Sequence, residues 1–207
     1  MLIDSDAFII FGAAGLVREV GELFGVDLQN IRRLFPLPHM LERGKLARKY
    51  SPAIRERVKS WCAVIAPITE APSAATRQLL LDVEGLHDGE AQLFGLMFEN
   101  PTYQLLSSDK VAMRALTEKE ELKSVYDSLS GRVACAESAL LALMTRIGVG
   151  ALAAAISPLR EHNSMLNAVF SMGTQTPEDH CREGLSSYLS ALTRDLGPSF
   201  LLNIHDV

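Results

Sequence analysis

Two short apolar runs of this sequence each lead to an aspartate. Asp4 follows the run that begins at Met1, and Asp109 follows the run 103–106 after two serines. If both runs are strands of one parallel sheet, their ends lie on the same edge, where ligand sites of open α/β folds form. Carboxylates gathered there repel one another without a cation, and their hard oxygen atoms suit Mg²⁺ or Mn²⁺. Such a cluster is suited to phosphodiester hydrolysis by metal-activated water.

A third acidic segment, 88–90, stands at the predicted start of a helix. With a right-handed crossover, this helix start opens on the same edge of the sheet. A simpler interpretation of Asp88 and Glu90 is favourable charge in a first helical turn, and Asp109 could serve as a helix cap. Asp4 is harder to explain in this way, because an acidic residue directly after a buried strand is costly unless it is paired or solvated.

Basic residues concentrate between residues 31 and 60, although the whole chain has a formal net charge of -5. Nine arginines and lysines stand in this window against two glutamates, which gives a local charge of 9 − 2 = +7. The window could follow a nucleic-acid backbone, or it could be a solvated helical face. The candidates for substrate binding here are Arg43, Lys45, Arg48 and Lys49. Lys110 is a further candidate, with solvation at a helix start as its alternative role.

The elements that must position these groups are short strands that alternate with helices. The predicted strands are 1–4, 63–68, 103–106 and 133–135. The predicted helices include 28–35, 38–50, 72–83, one that starts at Ser51-Pro52, one that starts near Asp88, and one after Asp109. This alternation predicts an α/β fold with a central, mostly parallel sheet flanked by helices on both faces. We expect one α/β domain over 1–147 and a helical C-terminal extension over 148–207 packed on it.

Composition favours a globular protein of the reducing cytosol. The chain has 207 residues, of which 48% are hydrophobic and 22% are charged. Its three cysteines are odd in number and widely spaced, which argues against a disulfide framework and a zinc site. Asp4 and Asp6 stand where a signal peptide would be basic. The apolar region 133–156 is interrupted by charges and glycines, so we expect a cytoplasmic protein without a membrane span.

Three segments resemble, in residue type and order, the PIN-domain nucleases, which include the toxin nucleases of bacterial toxin–antitoxin pairs. The segments are 2–6 (LIDSD), 86–91 (LHDGEA) and 105–112 (LLSSDKVA). In that family, a strand-end aspartate, a Gly-Glu-Ala-like helix start and an aspartate after Leu-Leu-Ser/Thr supply the metal ligands. The resemblance therefore implies a PIN-like fold in which Asp4, Glu90 and Asp109 are the catalytic metal ligands, with Asp6 and Asp88 as nearby candidates.

The resemblance also implies a function. The family usually has another acidic residue on a helix between the first two strands, and Glu42 is the best match. The similarity covers about the first 145 residues, and the helices after Gly148 depart from the compact toxin pattern. The implied activity is a metal-dependent ribonuclease that uses Mg²⁺ or Mn²⁺ and binds RNA. An antitoxin-like protein and a second copy of the chain are the further partners considered.

Two rival interpretations remain open. Asp4-Ser5-Asp6 also resembles the nucleophile and acid/base pair of haloacid-dehalogenase-type phosphatases, with Ser107 as a phosphate-binding residue. That family has a late acidic pair, which the run 132–135 lacks. The other rival is a PIN-fold protein that binds RNA or a partner protein without cutting, with its C-terminal helices as the interaction surface.

Overall fold

The computed structural model describes residues 1–204, in which a parallel sheet lies among helices. The strands are β1 (Leu2–Ile3), β2 (Arg32–Arg33), β3 (Leu105–Ser107) and β4 (Val133–Cys135). Their order in the sheet is β2-β1-β3-β4, and all neighbouring pairs are parallel. In register, Leu2 lies opposite Arg32 on one side and Leu105 on the other. The predicted α/β class with a parallel sheet is confirmed.

Thirteen α-helices surround this sheet in the described part of the chain. They are α1 (Ser5–Ala14), α2 (Val17–Leu23), α3 (Leu37–Glu42), α4 (Gly44–Lys49), α5 (Pro52–Val64), α6 (Ala74–Leu81), α7 (Asp88–Glu99), α8 (Lys110–Ala115), α9 (Lys123–Leu129), α10 (Ala136–Ile147), α11 (Val149–Ile156), α12 (Ser164–Val169) and α13 (Glu178–Leu196). Short 3₁₀ turns lie at Leu28–Asn30, Glu120–Leu122, Ser157–His162 and Gly173–Gln175. Several helix starts follow from local sequence, as where the Ser51 hydroxyl accepts a hydrogen bond from the Ile54 amide at 3.4 Å.

The second strand is not where the sequence predicts it. The pattern of the run 63–68 predicts a strand, but α5 continues to Val64, and an isolated bridge between Pro67 and Arg33 is what joins the run to the sheet. The chain stays helical up to Val64 because Ile54, Val58 and Cys62 recur every four residues and are buried on one face of α5. The actual strand β2 is a pair of arginines inside the segment predicted as helix 28–35.

A second correction concerns the segment 38–50, which was predicted as one helix. It forms two short helices, α3 and α4, that meet at Arg43. Arg43 has an extended backbone, with φ −136° and ψ 153°, and Gly44 follows it with a φ of 81°. A positive φ is a conformation that glycine adopts readily and other residues avoid, so Gly44 allows the break.

The sheet separates two hydrophobic clusters. Ile3 and Leu106 point into the cluster that contains the buried hydrophobic residues of α1 and α5 and most of those of α10. Leu2 and Leu105 point into the cluster formed largely by α7, α8 and α9. Adjacent residues of each strand therefore face opposite clusters, as the pleat of a strand requires. Both faces of the sheet are covered by helices.

The helices after Gly148 pack onto both clusters. Cys181 and Leu185 of α13 belong to the first cluster, whereas Leu192 and Leu196 of the same helix belong to the second. α13 also packs along α10. The boundary between 147 and 148 stays a prediction, and residues 205–207 of the predicted extension lie outside the described residues.

A helix that crosses a membrane needs about 20 predominantly apolar residues. None of the helices within residues 1–204 has that combination of length and apolarity.

Candidate functional site

Asp4 joins the carboxyl ends of two neighbouring strands. It follows β1 directly and is 3% exposed. Its Oδ1 accepts a hydrogen bond from the Ala7 amide at 2.6 Å, which caps α1. Its Oδ2 accepts hydrogen bonds from the Ser107 hydroxyl and, at 2.6 Å, from the Ser108 amide. These donors supply the partners that a buried carboxylate needs.

The same surroundings shift the acidity of this group. Burial raises the pKa of Asp4 to about 6, because a carboxylate loses hydration when it is removed from water. The hydrogen bonds from Ser107, Ala7 and Ser108 act in the opposite direction, and the charge of Asp6 raises the pKa slightly further. The effect of desolvation on the pKa is larger than that of the three hydrogen bonds. The site therefore favours either a proton on Asp4 or a cation beside it.

Asp109 forms the N-cap of α8, as one of its two predicted roles requires. Its Oδ1 accepts a hydrogen bond from the Ala112 amide at 2.9 Å. The Asp109 amide donates to the Ser107 hydroxyl oxygen at 3.1 Å. Ser107 therefore donates to Asp4 and accepts from Asp109, and this fixes the two predicted ligands relative to each other.

Asp88 and Glu90 both lie in the first turn of α7. Glu90 Oε2 accepts a hydrogen bond from the His87 amide at 3.2 Å, which is half of a capping box. Asp88 Oδ1 pairs with Arg77 at 2.7 Å, and the Asp88 side chain is exposed. Both residues thus act as favourable charges in the first turn of α7, which is the simpler of the two interpretations. They also lie at the edge of the sheet, because α7 begins there.

These separate segments meet at one cleft. Its volume is about 370 Å³. Five of the six predicted acidic candidates line it, namely Asp4, Asp6, Asp88, Glu90 and Asp109. Leu34, Pro36, Met40 and Leu46 form its apolar wall. We call this space the acidic cleft. It lies beyond the carboxyl ends of β1 and β3, where ligand sites of open parallel sheets form.

Glu42 is the acidic candidate that the structure does not bring to the acidic cleft. It lies at the end of α3 and forms an ion pair with Lys59 at 3.1 Å. The hydrogen bond and charge of Lys59 lower the pKa of Glu42. Because Glu42 is exposed to solvent and paired with Lys59, its charge is stabilised without a metal ion.

The four predicted basic residues surround one short helix. Arg43, Lys45, Arg48 and Lys49 are all exposed. Within residues 1–204, none of the four forms an ion pair. Leu46 of the same helix, α4, lines the acidic cleft, so these cations flank its wall. Their positive charge is available to an anionic ligand.

Lys110 does not have the solvated environment that one of its two predicted roles requires, and its other predicted role, contact with phosphate, stays a prediction. Its side chain is 24% exposed, so it is not simply solvated. Its Nζ forms an ion pair with Glu137, a residue of α10 that is 2% exposed. Glu137 was missed in the sequence, although it follows β4 by two residues, much as Asp109 follows β3 by two. The region after Cys135 is so apolar that it reads as a uniformly buried helix.

The donor set of the acidic cleft consists of carboxylate oxygens, the ligand type that Mg²⁺ and Mn²⁺ prefer. The described residues contain no group of three or more His, Cys, Asp or Glu side chains placed to hold one metal ion. Mg²⁺ is usually bound through one or two carboxylates, with water and substrate phosphate as its other ligands. The residues fit a cation of that kind, and they do not form a cage made of protein alone.

Comparisons with known proteins identify no relative. No family model matches the sequence, and neither a curated protein nor a solved structure matches the chain. The resemblance to PIN-domain nucleases therefore rests on the three segments themselves.

Proposed function

We propose that the acidic cleft binds Mg²⁺ or Mn²⁺ and hydrolyses phosphodiester bonds of RNA, as a PIN-like nuclease does. One observation carries this proposal. Carboxylates from three segments far apart in the chain, represented by Asp4, Glu90 and Asp109, line a single cleft at the carboxyl end of the sheet. Bringing like charges together costs free energy, and a bound cation offsets that cost.

In this proposal, Asp4 and Asp109 hold the cation, and Glu90, Asp6 and Asp88 line the cleft beside them. The bound cation supplies an activated water and neutralises charge on the phosphate. Ser107 keeps Asp4 and Asp109 in place through its two hydrogen bonds.

The basic residues around α4 supply the contacts to the sugar-phosphate backbone. Arg43, Lys45, Arg48 and Lys49 are exposed and flank the cleft wall. Such contacts position a nucleic acid without reading its sequence. They also let an acidic protein bind a polyanion, because the local charge of the window is opposite to that of the whole chain.

A second candidate function is RNA or protein binding without cleavage. The observation in its favour is that the described residues contain no group of three side chains placed to hold a metal. In that case the cleft carboxylates act only as helix caps and first-turn charges, which are roles that Asp109 and Glu90 visibly have.

The test is cleavage of single-stranded RNA with Mg²⁺ or Mn²⁺, followed on wild type, Asp4→Asn and Asp109→Asn. We expect each substitution to reduce the cleavage rate at least about 100-fold, in line with the several kcal/mol that metal catalysis supplies. Asp179→Asn, an exposed change on α13, is the matched control and should cleave like wild type. Equal rates for all four proteins, or no metal-dependent cleavage by wild type, would exclude the nuclease function and leave the binding function.

A further inference from the structure

A second cavity adjoins the acidic cleft and shares two carboxylates with it. Asp6 and Asp109 line both spaces. The second cavity has a volume of about 440 Å³, and Glu137 lies in its wall. We call it the Glu137 cavity. A nucleic-acid strand with one phosphodiester group in the acidic cleft would place a neighbouring nucleoside here.

Glu137 is a buried carboxylate with incomplete hydrogen bonding. It is 2% exposed, and its Oε1 forms the ion pair with Lys110. Its Oε2 is buried and makes no hydrogen bond of regular geometry within the described residues, while the Cys135 thiol interacts with the same carboxylate. A buried acceptor without a donor costs about 1–3 kcal/mol, and more when it is charged. Oε2 is closed to solvent in this structure, so a ligand donor reaches it when the Glu137 side chain turns toward the cavity, and that contact would remove this cost.

Lys110 determines which kind of ligand fits. Its Nζ also lies 4.7 Å from the ring centroid of Tyr188, so the ammonium group is held between the carboxylate and the aromatic ring. The charge of Glu137 is therefore already balanced. The cavity also lacks, among described residues, three side chains placed to hold a metal. These observations favour a neutral polar group at Oε2 over a second cation.

The rest of the wall offers both polar and apolar contacts. The Ser108 hydroxyl is buried and has no partner among residues 1–204. Asn163 Oδ1 accepts a hydrogen bond from the Leu166 amide at 3.1 Å, which leaves the Asn163 amide nitrogen to serve a ligand. Ile10 and Met165 contribute apolar surface. A sugar ring with hydroxyl groups on one side matches this mixture.

We propose that the Glu137 cavity is a ribose subsite, in which Glu137 Oε2 accepts a hydrogen bond from the 2′-hydroxyl of the nucleotide next to the phosphodiester group in the acidic cleft. The inference rests on the proposed function, because the strand held there brings the nucleotide to the cavity. A carboxylate holds a ribose hydroxyl in the same way in dinucleotide-binding folds. Since the 2′-hydroxyl distinguishes RNA from DNA, Glu137 selects RNA.

The experiment measures binding of short fluorescent single strands by anisotropy in Ca²⁺, an oxygen-liganded cation that takes the place of Mg²⁺ in the acidic cleft and limits cleavage. The strands are one RNA, its DNA counterpart, and RNAs with a single 2′-deoxy nucleotide at each position in turn. For wild type, we expect one 2′-deoxy position to weaken binding about 10- to 100-fold, the effect of losing a hydrogen bond to a charged group. A 2′-O-methyl group at that position, which cannot donate, should weaken binding at least as much.

The double variant Lys110→Met/Glu137→Met removes the carboxylate without leaving an unpaired lysine. Such a replacement of a buried ion pair by apolar residues of similar size is often neutral for stability. We expect it to bind the RNA and its 2′-deoxy form equally. The matched control is Glu120→Met/Lys123→Met, which removes an exposed Lys–Glu pair outside both spaces and should keep the discrimination.

The outcomes separate this inference from the proposed function. Equal binding of all strands by wild type, no binding at all, or unchanged discrimination in the Glu137 double variant would overturn the ribose subsite, with water as the partner of Oε2. Metal-dependent cleavage of RNA and DNA at equal rates would leave the nuclease function standing without it. Discrimination that depends on Glu137, in a chain that cleaves nothing, would support the subsite and remove the hydrolysis.

Discussion

Asp4 is a carboxylate whose surroundings work against its charge. It is almost fully buried, and burial raises its pKa to about 6 in spite of three hydrogen bonds. Its capping of α1 explains one oxygen atom, and the donors after β3 explain the other. With a pKa of about 6, this group is mostly ionised at pH 7 and takes up a proton when the pH falls below about 6, unless a cation lies close to it. The pKa of Asp4 therefore depends on whether a cation occupies the acidic cleft.

This acidity predicts how the stability of the metal-free protein depends on pH. The folded pKa of Asp4 is about 6 and the unfolded value is 3.8, so the folded state binds the proton more tightly. The resulting stabilisation is complete below the unfolded pKa and is lost as the pH rises through about 6. A difference of about 2 pKa units corresponds to roughly 3 kcal/mol.

The measurement is urea unfolding of wild type and Asp4→Asn in EDTA between pH 4 and pH 8. Asparagine does not ionise, so any fixed cost of the substitution cancels when only the pH dependence is compared. We expect the free energy of unfolding of wild type, relative to the variant, to increase by up to about 3 kcal/mol from pH 8 to pH 4. Parallel curves would show that Asp4 has an ordinary pKa.

At the scale of elements, the sequence predicts the three strands that are followed by carboxylates of the two cavities. It misses β2, which is not followed by one. β1, β3 and β4 are apolar runs followed by polar residues, and each lies within about two residues of its predicted position. β2 consists of Arg32 and Arg33, which carry no strand signal. Arg33 can be buried because its guanidinium donates to the Leu34 and Cys62 carbonyls, the latter at 3.0 Å from 29 residues away.

The site was predictable to a similar extent. A strand-end rule applied to aspartates finds Asp4 and Asp109, and the helix-start rule finds Glu90. Glu42 was proposed by family resemblance alone, and the structure places it in an ion pair with Lys59. Glu137 follows β4 at the same spacing, but the apolar sequence around it predicts a buried helix, and local sequence does not show that Lys110, 27 positions earlier, is its partner.

The helix α4 carries a prediction about binding strength. Replacing Lys45 and Arg48 with glutamine should weaken binding of single-stranded RNA and reduce the slope of log K against log salt by about 1.4, since each phosphate contact contributes about 0.7. Filter binding or anisotropy between 50 and 300 mM salt measures the slope. Lys59→Gln is the control, because Lys59 is already paired with two glutamates. An unchanged slope in the double variant would place the nucleic acid elsewhere.

At the scale of the whole molecule, the helices after Gly148 belong to the same packed body as the sheet. α13 contributes Leu185 to one hydrophobic cluster and Leu192 to the other. Leu201 forms a bridge to Val133 at the free edge of β4. Tyr188 of α13 supports Lys110 beside the Glu137 cavity. The residues after Gly148 therefore form part of the surroundings of the candidate site. A compact nuclease domain that ended near residue 147 would lack these contacts.

The central claim concerns the convergence of distant carboxylates on one cation, and a crystal of the protein soaked in Mn²⁺ tests it most directly. Anomalous scattering locates the metal without any assumption about substrate or rate. We predict a Mn²⁺ peak in the acidic cleft, with carboxylate oxygens of Asp4 and Asp109 at about 2.1 Å to 2.3 Å from it, and loss of that peak in Asp4→Asn. A cleft without Mn²⁺, or Mn²⁺ bound only at exposed carboxylates such as Glu42, would contradict the account.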